Sequence, residues 1–572
     1  MPPEVNFTAS IQFTRYGLYL YLVISIMKKS SVIILFCVLF TCNGSCQESN
    51  HSISRDIEIF RSFYSTLYET YVDRIHSPEL MHAGINAFCK LLDPYNVYSD
   101  STEIAVRKNA WKGILYSGTG INIILRDSMV VITGLTDGGP AQKGGLRIGD
   151  KLISAGGVNL KGKSLAEVTG LLRGQEGSQL RLIADRPWQE MIEFNLTREK
   201  IMAKSVSWYG MMDDSTGYIR CEQFLENSYD TLLSAFRYLK KNKSFKRLIL
   251  DFRDNIGGLV QDAVNAANIF LPKGKVICRL ISENNAGANY NYTTLYEPVD
   301  TIIPVVILAN QNTISAGEIF ISAMQDYDRA VIIGQRTYGK GYVQGTHSLA
   351  HGAQLYVTSA RYFAPSGRCL QSTDLTHHYI DGKVNGINDS LKKMFFTQNH
   401  RPVYNYGGIE PDIIVDRVNM NSELVNTLFS NFIIADFSTF FRNTHAPPPN
   451  LNNFLLSEAG FNDFMSFAKQ KLMPIRLNTE NTLVALMKEA ELSCSKSLYR
   501  QLKKALKKAA KNKYGLLKNS KNELIPLLEK EIITRYFNYS GEIRYSFLYD
   551  PYLLKAGFIL NDKSLYHKLL NK

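Results

Sequence analysis

The sequence predicts a multidomain α/β protein: an N-terminal helical segment, a compact partly open β-barrel module, an α/β core and a C-terminal helical domain. Three observations predict it. Ile57, Phe60, Phe63, Tyr64, Leu67 and Tyr71 recur at helical spacing near the start. Between Gly118 and Pro187, short alternating strands are punctuated by glycine turns and two small helices. From Thr216 onward, short apolar runs alternate with amphipathic helices, the pattern of a parallel or mixed sheet with helices on its faces. The boundaries read as 52–110, 111–190, 200–420 and 421–572, after a targeting region over 1–50.

The chain has 572 residues, 45% of them hydrophobic, and a net charge of +13, which excludes a disordered polymer. The basic residues are spread out except near Lys503 to Lys513, without interleaved aromatics, so no nucleic-acid partner is expected. Met27-Lys28-Lys29 precedes the apolar run Ser31 to Phe40 and the small residues Asn43-Gly44-Ser45-Cys46, the layout of an export signal. Met27 then reads as the true start, and the protein as exported and periplasmic. Cys46 after Gly44-Ser45 resembles a lipoprotein cleavage site, although Asn43 stands where that pattern wants an aliphatic residue. Eight cysteines occur without CxxC spacing, so neither a zinc framework nor a disulfide scaffold is expected. No metal and no cofactor is assigned: adjacent His377-His378 cannot converge on one ion.

In the 52–110 segment a second helix, about Pro78 to Leu92, ends at the turn signal Asp93-Pro94-Tyr95-Asn96. This segment reads as a helical cap with no chemistry to place. In the barrel module, Gly118-Thr119-Gly120-Ile121 enters a strand and Met129 to Ile132 forms another. Gly139-Pro140-Ala141 opens a short helix, Ser164 to Leu172 is a second, and Gln179 to Ala184 is a final strand.

In the core, Tyr229 to Lys240 reads as a helix. Arg247 to Phe252 is a buried strand ending in Gly257-Gly258, and Val260 to Phe270 is the next helix. The apolar run Pro304 to Ala309 then leads to Ser315, where a strand gives way to a helix. Free N–H groups there favour developing negative charge. Lys340 follows in a glycine-flanked turn after the second apolar run, Ala330 to Ile333. A serine nucleophile with a lysine base fits this pattern; a helix cap and a solvated loop lysine fit it too. Ser315 lacks the glycine two residues earlier that marks a nucleophile elbow. Ala446 to Asn450 reads as a linker, and several amphipathic helices follow it.

The module's "GTGI" and "GPAQKGGLRIGDKLI" resemble a PDZ domain. That resemblance implies that Gly118, Thr119, Gly120 and Ile121 take a terminal carboxylate while the peptide adds as a strand. "LDFRDNIGG", "TISAGEIFISAMQD", "GQRTYGKGYVQ", "TSARYFAPSGRCLQ" and "GGIEPDIIVD" follow in the order of the C-terminal processing, or tail-specific, serine protease family. "LLDPYNVYSD" and "LLRGQEG" are similar to family elements as well. The resemblance implies a nucleophile at Ser315, a base at Lys340 and an orienting residue at Gln344. It also implies an oxyanion hole from Ala316 and the Gly257-Gly258 turn, and a coupling role for Arg173. Ile256, Ile314 and Gly317 depart from the family pattern. Implied partners are protein substrates with apolar C-termini, an adaptor or activator protein and a second copy of the chain. A catalytically inert PDZ-type adaptor and a membrane-anchored regulator stay open as alternatives.

Overall fold

The computed structural model describes residues 44–189, 191–282, 287, 289–373, 389–416, 422–448, 454–493 and 495–572. Most of the targeting region, His377-His378 and the end of the expected linker lie outside them. Two compact units are present, residues 1–87 and 88–572. The first contains the helix Gly44–Thr70, which leaves Ile53, Ile57, Ile59 and Phe63 more than half exposed. Tyr64 Oη lies 2.6 Å from Ser77 Oγ at the start of the next helix, Ser77–Leu92.

In the second unit, the barrel module builds an antiparallel sheet. Its order is Ile121–Arg126, Met129–Leu135, Lys151–Ala155, Gln179–Asp185 and Met191–Thr197, with Val158–Asn159 paired to the third strand. Its inward residues Val130, Ile132, Leu152, Leu182 and Ala184 alternate with outward ones and pack on Val168 and Leu172 of the helix Leu165–Leu172. Ser164 caps that helix by accepting from the Glu167 amide.

The core sheet is mixed. Its order is Val206–Met211, Thr216–Cys221, Arg247–Asp251, Val305–Ala309, Val331–Gly334 and Ile413–Ile414; the first pair is antiparallel and the rest parallel. On one face Leu248, Leu250, Val305 and Ile307 pack against the helices Ser228–Lys240, Val260–Ala267 and Ala316–Asp326. The other face, Ile249, Val306, Leu308, Val331 and Ile333, is covered by Leu553, Ala556, Ile559 and Tyr566. These come from the helices Pro551–Asn561 and Lys563–Leu569. The C-terminal region therefore supplies one layer of the α/β core, because strands apolar on both sides need a cover on each. A second sheet, antiparallel, joins Val97–Ser99, Gln354–Phe363, Val276–Ile281 and Tyr290–Thr293, with Tyr342–Ser348 paired to Gln354–Phe363.

The remaining C-terminal helices clasp the barrel module. Arg126 binds Asp436 through two bonds of 2.7 and 3.0 Å, and Trp188 packs edge-on against Phe440. Farther out, Asn478–Leu492 and Lys496–Asn519 form a helical hairpin. A buried ion pair joins them, Lys513 Nζ to Glu480 Oε2 at 2.7 Å, with both side chains under 5% exposed. Removing one partner strands a charge, at a cost of about 3–5 kcal/mol. Lys513→Ala is expected to speed amide exchange across the hairpin by about 100-fold or more, read by hydrogen-exchange mass spectrometry. Unchanged protection would show that the pair is dispensable.

Candidate active site

Ser315 sits between the buried strand Val305–Ala309 and the helix Ala316–Asp326. Its backbone has φ 59° and ψ −118°, a conformation that L residues rarely adopt. The sequence lacks the usual glycine signal for an elbow, yet the turn is strained in that way. Its amide donates to Glu318 Oε2 at 2.8 Å, which holds the turn.

Glu318 is the residue that sequence reasoning missed. It is fully buried, and its carboxylate gathers both halves of the site. Oε1 accepts from Thr337 Oγ1 at 2.6 Å and from the Gly339 amide at 2.7 Å. Oε2 accepts from the Ser315 amide and from the Lys340 amide at 2.9 Å. One carboxylate thus fixes the backbones of Ser315 and Lys340 together. Burial pushes its pKa up to about 7, opposed by the donors from Thr337, Lys340, Ser315 and Gly339. The available signal is the spacing Ser315-x-x-Glu318, that of a capping box.

Lys340 Nζ donates to Gln344 Oε1 at 2.8 Å, and Gln344 Nε2 donates to Thr358 Oγ1 at 3.1 Å. Gln344 lies at a register shift between Tyr342–Ser348 and Gln354–Phe363, where a bulge re-aims a side chain. Burial lowers the lysine pKa, against the Asp93 and Glu318 carboxylates. The Tyr95 ring centroid is 4.5 Å from Nζ. The turn expected to carry no chemistry therefore roofs the lysine. It is positioned by Val97–Ser99 joining the second sheet and by Asn96 Oδ1 accepting from the Thr358 amide at 2.7 Å. Lys340 Nζ makes no hydrogen bond to Ser315 Oγ among the described residues.

The turn after Arg247–Asp251 packs directly on Ser315. A Cβ at Gly257 would meet Ser315 Cβ and the Ile314 carbonyl at 2.8 Å, and one at Gly258 would lie 1.9 Å from the Phe224 carbonyl oxygen. Only glycine fits this approach. Asn255 and Asp254 lace the two loops together: the Asn255 carbonyl accepts from the Ile314 amide, and Asp254 Oδ1 from Asn310 and Asn312. One expectation changes here. The Gly257 amide donates to Asn255 Oδ1 at 3.0 Å and is already occupied. The Gly258 and Ala316 amides have no acceptor among the described residues. Beneath the turn, burial works against the Asp251 charge. The guanidiniums of Arg253 and Arg220 and the Tyr218 hydroxyl nonetheless hold its pKa well below the usual carboxylate range.

Ser315, Ala316, Gly258, Lys340 and Gln344 are thus tied to one place through Glu318 and the glycine turn: two backbone amides without acceptors among the described residues, a hydroxyl on a strained turn and a desolvated amine. Gly118, Thr119, Gly120 and Ile121 lie in the barrel module instead. The carbonyls of Thr119 and Gly120 are turned inward onto the Ala141 and Thr136 amides, leaving their own amides without acceptors among the described residues. Ile121–Arg126 is an edge strand of its sheet, open to addition of another strand. Arg173 lies beside this loop with its guanidinium over the Tyr116 ring at 4.5 Å. No hydrogen bond or ion pair among the described residues joins it to Ser315 or Lys340. The described cysteines Cys89, Cys221, Cys278 and Cys369 are buried thiols.

Residues 215–380 match peptidase family S41, residues 131–186 a PDZ domain, and residues 424–560 the C-terminal helical domain of a probable PDZ-protease. A probable CtpA-like serine protease of Staphylococcus aureus (strain COL) is 28% identical over 436 residues, covering 76% of this chain and 79% of that protein. The carboxy-terminal-processing protease of Bartonella bacilliformis is 28% identical over 361 residues, 62% of this chain and 81% of its own. A solved photosystem II D1 C-terminal processing protease is similar at 25% identity, covering 62% of this chain and 92% of that one, with a TM-score of 0.34.

Proposed function

This chain is a serine-type peptidase of the C-terminal processing family with a PDZ domain, and from that premise we propose that it cuts exported proteins selected by their apolar C-termini. The observation that carries the reading is the shared Glu318 carboxylate, which fixes Ser315 and a desolvated Lys340 in one site. Export is supported by Met27-Lys28-Lys29 and the apolar run after it, outside the described residues; Cys46 would anchor the mature protein if lipidated.

In the proposed mechanism the neutral Lys340 amine takes the Ser315 hydroxyl proton as Oγ bonds to the scissile carbonyl carbon. The Gly258 and Ala316 amides donate to the oxyanion, each worth ~3–4 kcal/mol in typical sites. The C–N bond breaks, the lysine proton goes to the leaving amine, and an acyl-enzyme remains. Water attacks the ester, gives its proton to Lys340, and the Ser315–acyl bond breaks with that proton returning to Oγ. Gln344 holds the amine in place through its side-chain carbonyl. In the resting arrangement Nζ rests on Gln344 and the Tyr95 ring, and apo catalytic contacts commonly tighten only on substrate binding.

The test compares two unfolded proteins that differ only in the last residues, apolar in one and acidic in the other. The apolar tail is expected to raise kcat/KM by about 10-fold or more through the PDZ domain. Gly120→Val places a branched side chain at φ +72°, 3.1 Å from Thr136, and is expected to erase that preference while leaving cleavage of the acidic-tailed protein unchanged. Binding of the apolar tail without cleavage would replace this reading by the adaptor.

A further inference from the structure

The helix Lys496–Asn519 carries a charge pattern that neither the peptidase site nor the PDZ groove uses. Lys496, Arg500, Lys503, Lys504, Lys507, Lys508, Lys511 and Lys518 are all exposed, and the helix contains no Asp or Glu. None of these eight takes part in an ion pair among the described residues. At about 100° per residue they fall within an arc of roughly 140°. Lys513 lies on the opposite side and is the one turned inward, onto Glu480 of the neighbouring helix. The hairpin therefore presents a one-sided basic stripe, 24 residues or ~36 Å long, facing away from its own partner helix.

The hairpin turn adds a second feature. Leu492, the last residue of Asn478–Leu492, is 85% exposed just before Lys496 opens the basic helix. An exposed leucine at the end of a basic stripe is the composition of a segment that rests in a charged lipid interface, with an apolar group at the acyl boundary and ammonium groups among headgroups. We propose that this hairpin docks the protein on a bilayer bearing anionic phospholipids. Phosphate groups match the stripe in charge. A nucleic acid matches the stripe too, but offers no apolar layer to Leu492. Stripe-to-stripe pairing with a second copy of the chain is opposed by like charge.

The test uses the full chain with vesicles of phosphatidylcholine alone or mixed with phosphatidylglycerol. Solvent-accessible lysines are acetylated in each case and read by mass spectrometry. Partitioning of an apolar run such as Ser31 to Phe40 does not depend on lipid charge, so the local lysine footprint isolates the hairpin. Lys503, Lys507 and Lys511 are expected to be protected by the anionic vesicles only. Raising the salt should weaken that protection. The triple variant Lys503→Glu, Lys507→Glu, Lys511→Glu is expected to lower charge-dependent vesicle affinity by about 100-fold, with peptide cleavage in solution unchanged. Leu492→Ser should weaken anionic-vesicle binding without altering its salt slope. Equal protection by both vesicle types, or unaltered binding by the triple variant, overturns the proposal. Stronger protection by a DNA duplex than by anionic vesicles overturns it in favour of nucleic acid. Because no step depends on Ser315, failure of the peptidase reading leaves this result untouched.

Discussion

Ser315→Ala is expected to lower kcat/KM for an unfolded protein substrate by about 10⁴-fold or more, because it deletes the atom that would bond to the carbonyl. Lys340→Ala should do nearly as much. Lys340 supplies the base, and the carboxylate close by, Glu318, is turned away from that role, its oxygens engaged by Thr337 and three amides. Residues that act as one unit lose activity non-additively, so the double variant should fall no further than either single one. Lys340→Arg is no rescue, since a guanidinium stays protonated. Circular dichroism must show the fold retained, because alanine at φ 59° keeps the strain of the turn. Cleavage by Ser315→Ala above about one per cent of wild type would remove Ser315 as the nucleophile.

Glu318→Gln is the second large effect. Glutamine replaces one acceptor oxygen with an NH₂ group, which then points at backbone N–H donors. Those donors lose their partner at about 1–3 kcal/mol each. The turns carrying Ser315 and Lys340 are then no longer bound to a common point, and a misplacement of ~1 Å alone can cost about 100-fold. A fall of about 100- to 1,000-fold in kcat is expected, with KM for the tail little changed, because the PDZ loop is elsewhere.

The pH profile separates this role from a merely structural one. Glu318 works ionised and its pKa is pushed up to about 7, so wild-type activity should rise as pH passes through about 7. Lys340 works neutral and burial lowers its pKa from the ordinary lysine value, so activity should also rise as pH passes through that lowered value. Both limbs have the same sign, since each needs loss of a proton. Glu318→Gln should erase the limb near 7 and keep the lysine limb. A variant profile that retains both limbs would assign the lower one to another group.

The two module types were legible in the sequence because their signals are local. Alternation in Ile121-Asn122-Ile123 marks a half-buried strand, and the apolar run before Ser315 marks a buried one. The site's third dimension was not local. Glu318 touches Thr337, Gly339 and Lys340 across an intervening strand, and the Ser315-x-x-Glu318 spacing reads only as a helix cap. Tyr95 and Asn96 reach Lys340 and Thr358 through strand pairing that no periodicity announces. The occupied Gly257 amide depends on the rotamer of Asn255, which the glycine pattern does not encode. The second cover of the core sheet was foreshadowed, in that Arg247–Asp251 and Val305–Ala309 are apolar on both faces. What the sequence did not reveal was which distant helices fill that place.

That cover bears on how the enzyme is made. The Tyr566 hydroxyl bonds to both the amide and the carbonyl of Val305, and Leu553, Ala556 and Ile559 close the face beneath Val306 and Leu308. At a synthesis rate of ~5–20 residues per second, Lys340 leaves the ribosome roughly 10–50 s before Tyr566. Through that interval the nascent chain holds every reactive group and lacks a floor for the strand that aims the serine. The aim of the serine is therefore a property of the finished polypeptide rather than of its catalytic segment alone.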